Sequence, residues 1–394
     1  MRKIIIVLIL FLGIVVSCKK TETSDINIRR IDIEKATKSN ISTLFDNIDF
    51  IPLETTDQGL TGLEISRMEC IDDRMYLLNK MSSHSNILCF NKETGKFLFA
   101  IDRIGQGPDE YTYLGDFLID YDRRNIVLLS ENRRYLYFDL DGNFLFDKKA
   151  NDIYFSRELL YLNDSTYLVY HDSSLPPEGY NILYLDANTL SIRSKSNTIQ
   201  DYLQNTGNRP LHVSKERLLF YNANDSIYDI KKATPLYYVD LGVKHEKSKK
   251  ELNALNQSNE EMLEKVSKLF QKHEFYLVYS LFENKKWLAL NIYANAAQQD
   301  DILLSSFFLL FDKENEQLYD SRTLSFDILN LPPIKDVRII GETDDEFYVL
   351  IKDNFSLEDI QKIEKGSPLN IEKIRRLTNR TSEDNPIIIC LKNK

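Results

Sequence analysis

The chain has 394 residues, with 50 Lys+Arg against 60 Asp+Glu for a net charge of −10, and 43% hydrophobic residues that include 22 Tyr and 21 Phe but one Trp. An acidic chain without a basic cluster is excluded as a binder of nucleic acid or anionic lipid surfaces, both of which need grouped Lys and Arg to displace counterions. The apolar fraction is enough for a large core.

Arg2 and Lys3 precede "IIIVLILFLGIVV", from Ile4 to Val16. A charged start followed by a short apolar run is the pattern of an export signal, and the run is too short to span a bilayer. Val15-Val16-Ser17-Cys18 resembles the lipobox of bacterial lipoproteins: two aliphatic residues, a small residue, then a cysteine. That resemblance implies a signal peptide over residues 1–17, lipidation of Cys18, and an outer-membrane lipoprotein facing the periplasm or the cell surface. An ordinary secretory signal with a chance cysteine is the competing reading. Loss of residues 1–17 removes Arg2 and Lys3 and takes the charge from −10 to −12. Residues 18–46 are polar, lack Gly and Pro, and read as a lipidated tether. As free coil it spans roughly 30 Å, and fully stretched roughly 90 Å.

From residue 47 to 394 the chain reads as one domain. Short runs rich in β-branched and aromatic residues recur every eight to twelve residues from 62 onward, with turn signals between them. The larger period is about 45 residues, which marks four-stranded propeller blades. Blade 1 reads as 63–71, 74–80, 86–92 and 95–102, and blade 2 as 115–120, 125–130, 134–139 and 143–148. "CFNKETGKFLF" and "YFDLDGNFLF" are the same hairpin, with Gly95 or Gly142 in the turn. Blades 3, 4 and 5 fall at about 154–196, 208–242 and 275–324. Blade 6 starts at 335 and shows three strands, in "DVRIIGE", "EFYVLIK" and "NPIIICLK". Its outer strand is predicted to come from "IDFIPLET", residues 48–55, so that the ring closes with no bare edge. The fold class is therefore all-β, a six-bladed propeller.

"FIPLET", "IGQGPDEY" and "DLDGNFL" resemble the six-bladed β-propeller lipoproteins of Bacteroidota and, more distantly, NHL-repeat propellers. The resemblance implies the fold and exposure in the cell envelope; that family carries no defined catalytic motif to transfer.

"RIGQGPDEYTYLGDFLID", residues 103–120, joins the outer strand of blade 1 to the inner strand of blade 2. A phosphate loop would need a helix after the glycines. A strand follows instead, so Gly105, Gly107 and Pro108 form a structural corner, with Gly supplying backbone freedom and Pro fixing φ. Asp109 and Glu110 read as solvated or corner-capping groups rather than as a catalytic pair. The five histidines are scattered, no metal-ligand spacing appears, and no nucleophile elbow is present, so neither a catalytic residue, a metal site nor a cofactor is assigned. Cys70, Cys89 and Cys390 sit in separate apolar runs and read as buried free thiols, with one disulfide as the alternative.

Connections from strand 1 to 2 and from 3 to 4 are short, whereas all long segments join strands 2 and 3 or successive blades. In an antiparallel blade these two kinds lie on opposite faces. One face is thus bare and the other elaborated. The largest insertion between blades, about 246–272, has apolar residues at helical spacing and a capping box, Ser258 with Glu261, and is predicted to carry one or two amphipathic helices over that face. His84, Glu110, Tyr113, Glu178, Tyr180 and Arg209 are the candidate ligand contacts on these connections. The expected role is a non-enzymatic binding module for a glycan, peptide or envelope protein; the alternative is a hydrolase or lyase acting on polysaccharide at the central channel.

Overall fold

A computed structural model describes residues 28–62, 64–151, 156–171, 180–198, 209–214, 217–222, 225–254, 276–298, 301–351, 355–381 and 383–394. The strands form six separate sheets of four or five strands. Blade 1 comprises Glu64–Ile71, Arg74–Lys80, Ser85–Asn91 and Phe97–Ile101, and blade 2 Leu114–Asp120, Asn125–Ser130, Arg134–Asp139 and Phe144–Lys149. Blades 3 to 5 run from Glu158 to Thr198, Leu211 to Asp240 and Tyr276 to Ser325. Middle strands such as "MYLLN" and "IVLLS" are buried on both faces, because each sheet is covered by a neighbouring blade on either side. The core therefore lies in the seams. Between blades 1 and 2, Tyr76, Leu78 and Ile87 pack against Phe117, Ile119 and Leu128.

The turn after the third strand is built the same way in several blades. Asn91 Oδ1 accepts the amides of Glu93 and Thr94 at 3.2 and 2.9 Å. Asp139 holds Asp141 and Asn143, Asp186 holds Asn188 and Thr189, and Asp312 holds Glu314 and Asn315 in the same manner. A short acceptor at that position closes the turn from within. Gly95 and Gly142 follow at φ of 71° and 80°, where a side chain would be strained.

Blade 6 closes as predicted. Val337–Glu342, Glu346–Ile351 and Ile387–Asn393 are joined by Phe45–Pro52, which runs antiparallel to the last of them with Ile388 opposite Ile51 and Leu391 opposite Ile48. At the closing seam Ile51 and Leu53 share a cluster with Leu77, Leu88 and Leu350.

The tether reading fails from residue 28 onward. Arg29–Asp32 adds a fifth, parallel strand to the outer edge of blade 4, and Thr37–Asn40 does the same on blade 5. A short helix, Ile41–Leu44, leads into the closing strand of blade 6. The segment is a belt across three blade edges, held because Ile31, Ile33, Ile41 and Leu44 are buried. An edge strand buries one face only, so four apolar residues among many polar ones suffice.

Helical additions also differ from the expectation. A helix is present at Val243–Ala254, while residues 255–275 of the predicted insertion, including Ser258 and Glu261, lie outside the described residues. Two further helices, Leu357–Gly366 and Ile371–Thr378, occupy the connection between the second and third strands of blade 6. Ser356 and Asn370 cap them by accepting from Asp359 N and Lys373 N. Ile363, Ile374 and Leu377 pin them to the core of blades 5 and 6.

Candidate functional site

The first strands of all six blades line a central channel, so side chains about 45 residues apart in sequence converge there. Midway along it, Arg67 of blade 1, Asp116 of blade 2, Glu158 of blade 3 and Arg209 before blade 4 form an ionic plug. Asp116 is fully buried. Arg209 grips it with Nη1 and Nη2 at 3.1 and 3.0 Å, Arg67 Nη1 lies at 3.0 Å, and the amide of Leu159 donates at 2.8 Å. Arg67 Nη1 also donates to the carbonyls of Phe117 and Leu159, both at 2.8 Å. Burial alone would raise the Asp116 pKa, but the charges of Arg209 and Arg67 hold it below the usual range. Glu158 behaves oppositely: burial, reinforced by the charge of Asp116 and only partly offset by the two arginines, pushes it up to about 8. Neither of its carboxyl oxygens has a hydrogen-bond partner.

Toward the long-connection end, Glu64 accepts from Arg338 at 3.0 Å and Tyr279 at 2.9 Å, and Arg338 donates to Tyr293 at 2.8 Å and to the Ile65 carbonyl at 2.6 Å. That end is a closed polar network.

Toward the short-turn end the channel opens into a cavity of about 780 Å³. Arg67 and Arg209 form its floor; Glu69, Tyr121, Tyr161, His212, Phe282, Glu283 and Glu342 are on its walls. Most of these groups are tied. Glu69 accepts from Arg67 and, at 2.8 Å, from Tyr121. The Tyr121 and Tyr161 rings meet edge to face at 5.4 Å. Glu283 accepts from Lys313 at 3.2 Å, and Lys92 pairs with Glu346 at 3.0 Å. His212, with 7% of its side chain exposed, places Nε2 3.1 Å from Glu342 Oε1 and 3.2 Å from both the amide nitrogen and the carbonyl oxygen of Glu283. Glu342 Oε2 is shielded and has no partner. Burial lowers the His212 pKa to about 4, and burial with the charges of Glu69 and Glu283 raises Glu342 well above the carboxylate range. Burial thus disfavours the charged form of both the acid and the imidazole.

The residues picked from sequence do not assemble into one site. Arg209 reaches the channel, but as part of the plug. Glu110 Oε2 accepts the Gly107 amide at 2.8 Å, and a Cβ on Gly105 would sit 2.0 Å from the same oxygen. Gly105 and Gly107 do not adopt positive φ; they make room for the Glu110 carboxylate. Pro108 and Glu110 present their carbonyls to Arg134. His84 pairs with Asp102 at 3.1 Å. Tyr113 and Tyr180 are exposed on separate blades. Glu178 and Cys18 lie outside the described residues. Cys70, Cys89 and Cys390 are free thiols, pushed up by burial. Among the described residues no group of three His, Cys, Asp or Glu is placed to hold a metal ion, and no helix is long and apolar enough to cross a membrane.

Sequence reasoning missed Glu69, His212, Glu283 and Glu342. The available signal was a glutamate at or near the end of a first strand, just before a minimal turn: Glu69 before Asp72-Asp73, Glu283 before Asn284, and Glu342 before Thr343.

Residues 24–392 match the model of a family described as "Domain of unknown function (DUF4934)". The chain resembles the crystal structure of a "putative exported protein" from Bacteroides fragilis at 20% identity and a TM-score of 0.67, covering 93% of this chain and 99% of the other. A member of the DUF4221 family from Bacteroides vulgatus is matched at 12% identity and a TM-score of 0.46, over 89% and 98% of the two chains. The first likeness is one of fold. No curated protein matches the sequence.

Proposed function

The chain belongs to the DUF4934 family, and we propose that it is a lipid-anchored binding module of the cell envelope that holds its ligand in the short-turn cavity of the channel. The observation that carries this reading is the cavity itself: among the described residues the Glu64–Arg338 network fills the channel toward the long connections, while the short-turn end opens into about 780 Å³ lined by Glu69, Tyr121, His212, Glu283 and Glu342. Rigid concave sites with a few convergent polar groups are where ligands sit. The envelope location is supported by Arg2-Lys3, the apolar run and the lipobox-like Val15-Val16-Ser17-Cys18, and the similar Bacteroides fragilis protein carries the description "exported". A glycan, peptide or envelope protein remains the partner class.

A second reading has one specific support. The carboxyls of Glu69, Glu283 and Glu342 come together with His212, and a carboxylic acid held protonated can act as a general acid on polysaccharide. The two readings separate on Glu342→Gln, which abolishes any turnover that needs the Glu342 proton.

Thr343 lines the cavity. Thr343→Trp is expected to abolish binding of ligands found by a thermal-shift screen of glycans and peptides while the melting temperature stays within about 2 °C, as for a surface change. Binding that survives this block but is lost on Tyr113→Ala or Tyr180→Ala would move the site to the long-connection face.

A further inference from the structure

We infer that the protein sits on its membrane with the short-turn face toward the bilayer, so that the cavity opens on the membrane side and the long connections point away. This rests on the lipid-anchored reading above and adds the orientation that the anchor imposes.

The belt fixes where the chain enters the fold. Arg29–Asp32 runs parallel to Thr234–Asp240, the outer strand of blade 4, with Arg29 opposite Tyr237 and Asp32 opposite Asp240. An outer strand begins at a short turn and ends at a long connection, so the belt strand does too. Contacts at both of its ends agree. Glu34, just past the strand, stands against Gly242 in the long connection between blades 4 and 5, where a Cβ would meet Glu34 Oε1 at 3.1 Å. Arg29, at its start, donates Nη1 to the Lys313 carbonyl at 2.9 Å and pairs with Glu316 at 3.2 Å, both in the short turn between the last two strands of blade 5. Lys313 in turn reaches Glu283 on the cavity wall at 3.2 Å. The point of entry and the cavity thus share one face. Ile28, just ahead of the strand, is 44% exposed.

Reach then decides the orientation. With the belt bound, ten peptide links separate Cys18 from Ile28. A chain of that length spans roughly 17 Å as a coil and roughly 35 Å fully stretched. With the short-turn face down, the coil span is enough. With the other face down, the tether would have to pass the height of a blade and the helices of the long connections. A seven-residue strand such as Leu114–Asp120 rises roughly 20 Å, and a helix such as Val243–Ala254 adds roughly one diameter, 10 Å. That uses nearly the whole stretched length. A tether so extended has few conformations left, and the first arrangement prevails. A ligand of the cavity is then met between the propeller and the bilayer.

The test uses the mature lipidated protein on preformed phosphatidylcholine vesicles that carry a rhodamine-headgroup lipid as energy-transfer acceptor. A donor dye is attached through p-azidophenylalanine at one of four exposed positions: Lys232 or Lys285 in short turns of blades 4 and 5, Val243 or Lys335 in the long connections that follow the same blades. Transfer from Lys232 and Lys285 is expected to exceed that from Val243 and Lys335 by about twofold or more, since the faces lie roughly 20 Å apart. An insert of about twenty Gly and Ser residues after Lys20 lengthens the coil and should bring the two faces to equal transfer. Equal transfer with the natural tether, or the reverse order, while the mass of the N-terminal peptide shows lipid on Cys18, overturns the inference and leaves the anchor reading intact. A contrast that survives the insert overturns the tether as its cause. An unlipidated Cys18, with the protein free of the vesicles, overturns both.

Discussion

Two buried carboxyls on different stretches of one channel, Asp116 and Glu342, are held in opposite ways. At the plug, Asp116 receives bonds from Arg67, Arg209 and the Leu159 amide, so four blades or their approaches are stitched through one carboxylate. Toward the short-turn end, on the first strand of blade 6, Glu342 has one bond through Oε1 and none through Oε2. Saturation marks a structural fastening, because each added donor lowers the energy of the folded ring. A shielded carboxyl oxygen without a partner, as on Glu342 and on Glu158 within the plug, instead costs about 1–3 kcal/mol.

The comparison can be broken most sharply at its saturated end. Asp116→Ala leaves Arg67 and Arg209 buried without their common partner, and urea unfolding is expected to show a loss of about 3–5 kcal/mol; a loss under about 1 kcal/mol would mean the plug is not a fastening. Next in size is the pH response of Glu158. Its folded pKa of about 8 lies above the ordinary 4.5, so the stability it contributes is complete below about pH 4.5 and disappears as pH rises to about 8. Against Glu158→Gln, the wild type should therefore lose roughly 2–4 kcal/mol of unfolding free energy across that window. Parallel curves for the two proteins would show that Glu158 is ionised throughout. The smallest effect belongs to the open end. Tyr121→Phe deletes one bond to Glu69 on the cavity wall and should cost about 0.5–1 kcal/mol, with the change read in the denaturation midpoint; a loss as large as that of Asp116→Ala would erase the distinction between the two stretches.

How much of this the sequence shows depends on how local the signal is. The blade hairpins are written in adjacent residues, Asn91 through Gly95 and Asp139 through Gly142, and the closure by residues 48–55 follows from counting three strands where four are needed. The corner at Gly105–Glu110 is equally local. The belt is harder to see, because "RRID" and "TKSN" have no alternation: they lie on blade edges and pair through backbone more than through side chains. The helices at 357–366 and 371–378 carry readable caps in Ser356 and Asn370, but they interrupt the strand rhythm between the second and third strands of blade 6. The cavity is the least legible part. Glu69, His212, Glu283 and Glu342 come from four blades, and only ring closure brings them together.

The belt also orders the events of folding. Ile31 pairs opposite Val239, Asn40 opposite Ser325 and Ile51 opposite Ile388, so each successive belt segment waits for a later blade. Residues near the start of the chain must remain unpaired until blades 4, 5 and 6 exist in turn. Contacts of such long range form slowly, and an unpaired strand is exposed to wrong partners in the meantime. The polar character of "RRID" and "TKSN" then acquires a purpose during synthesis: a belt with few apolar residues can wait in water without sticking, and it fastens the ring only when the last blade is complete.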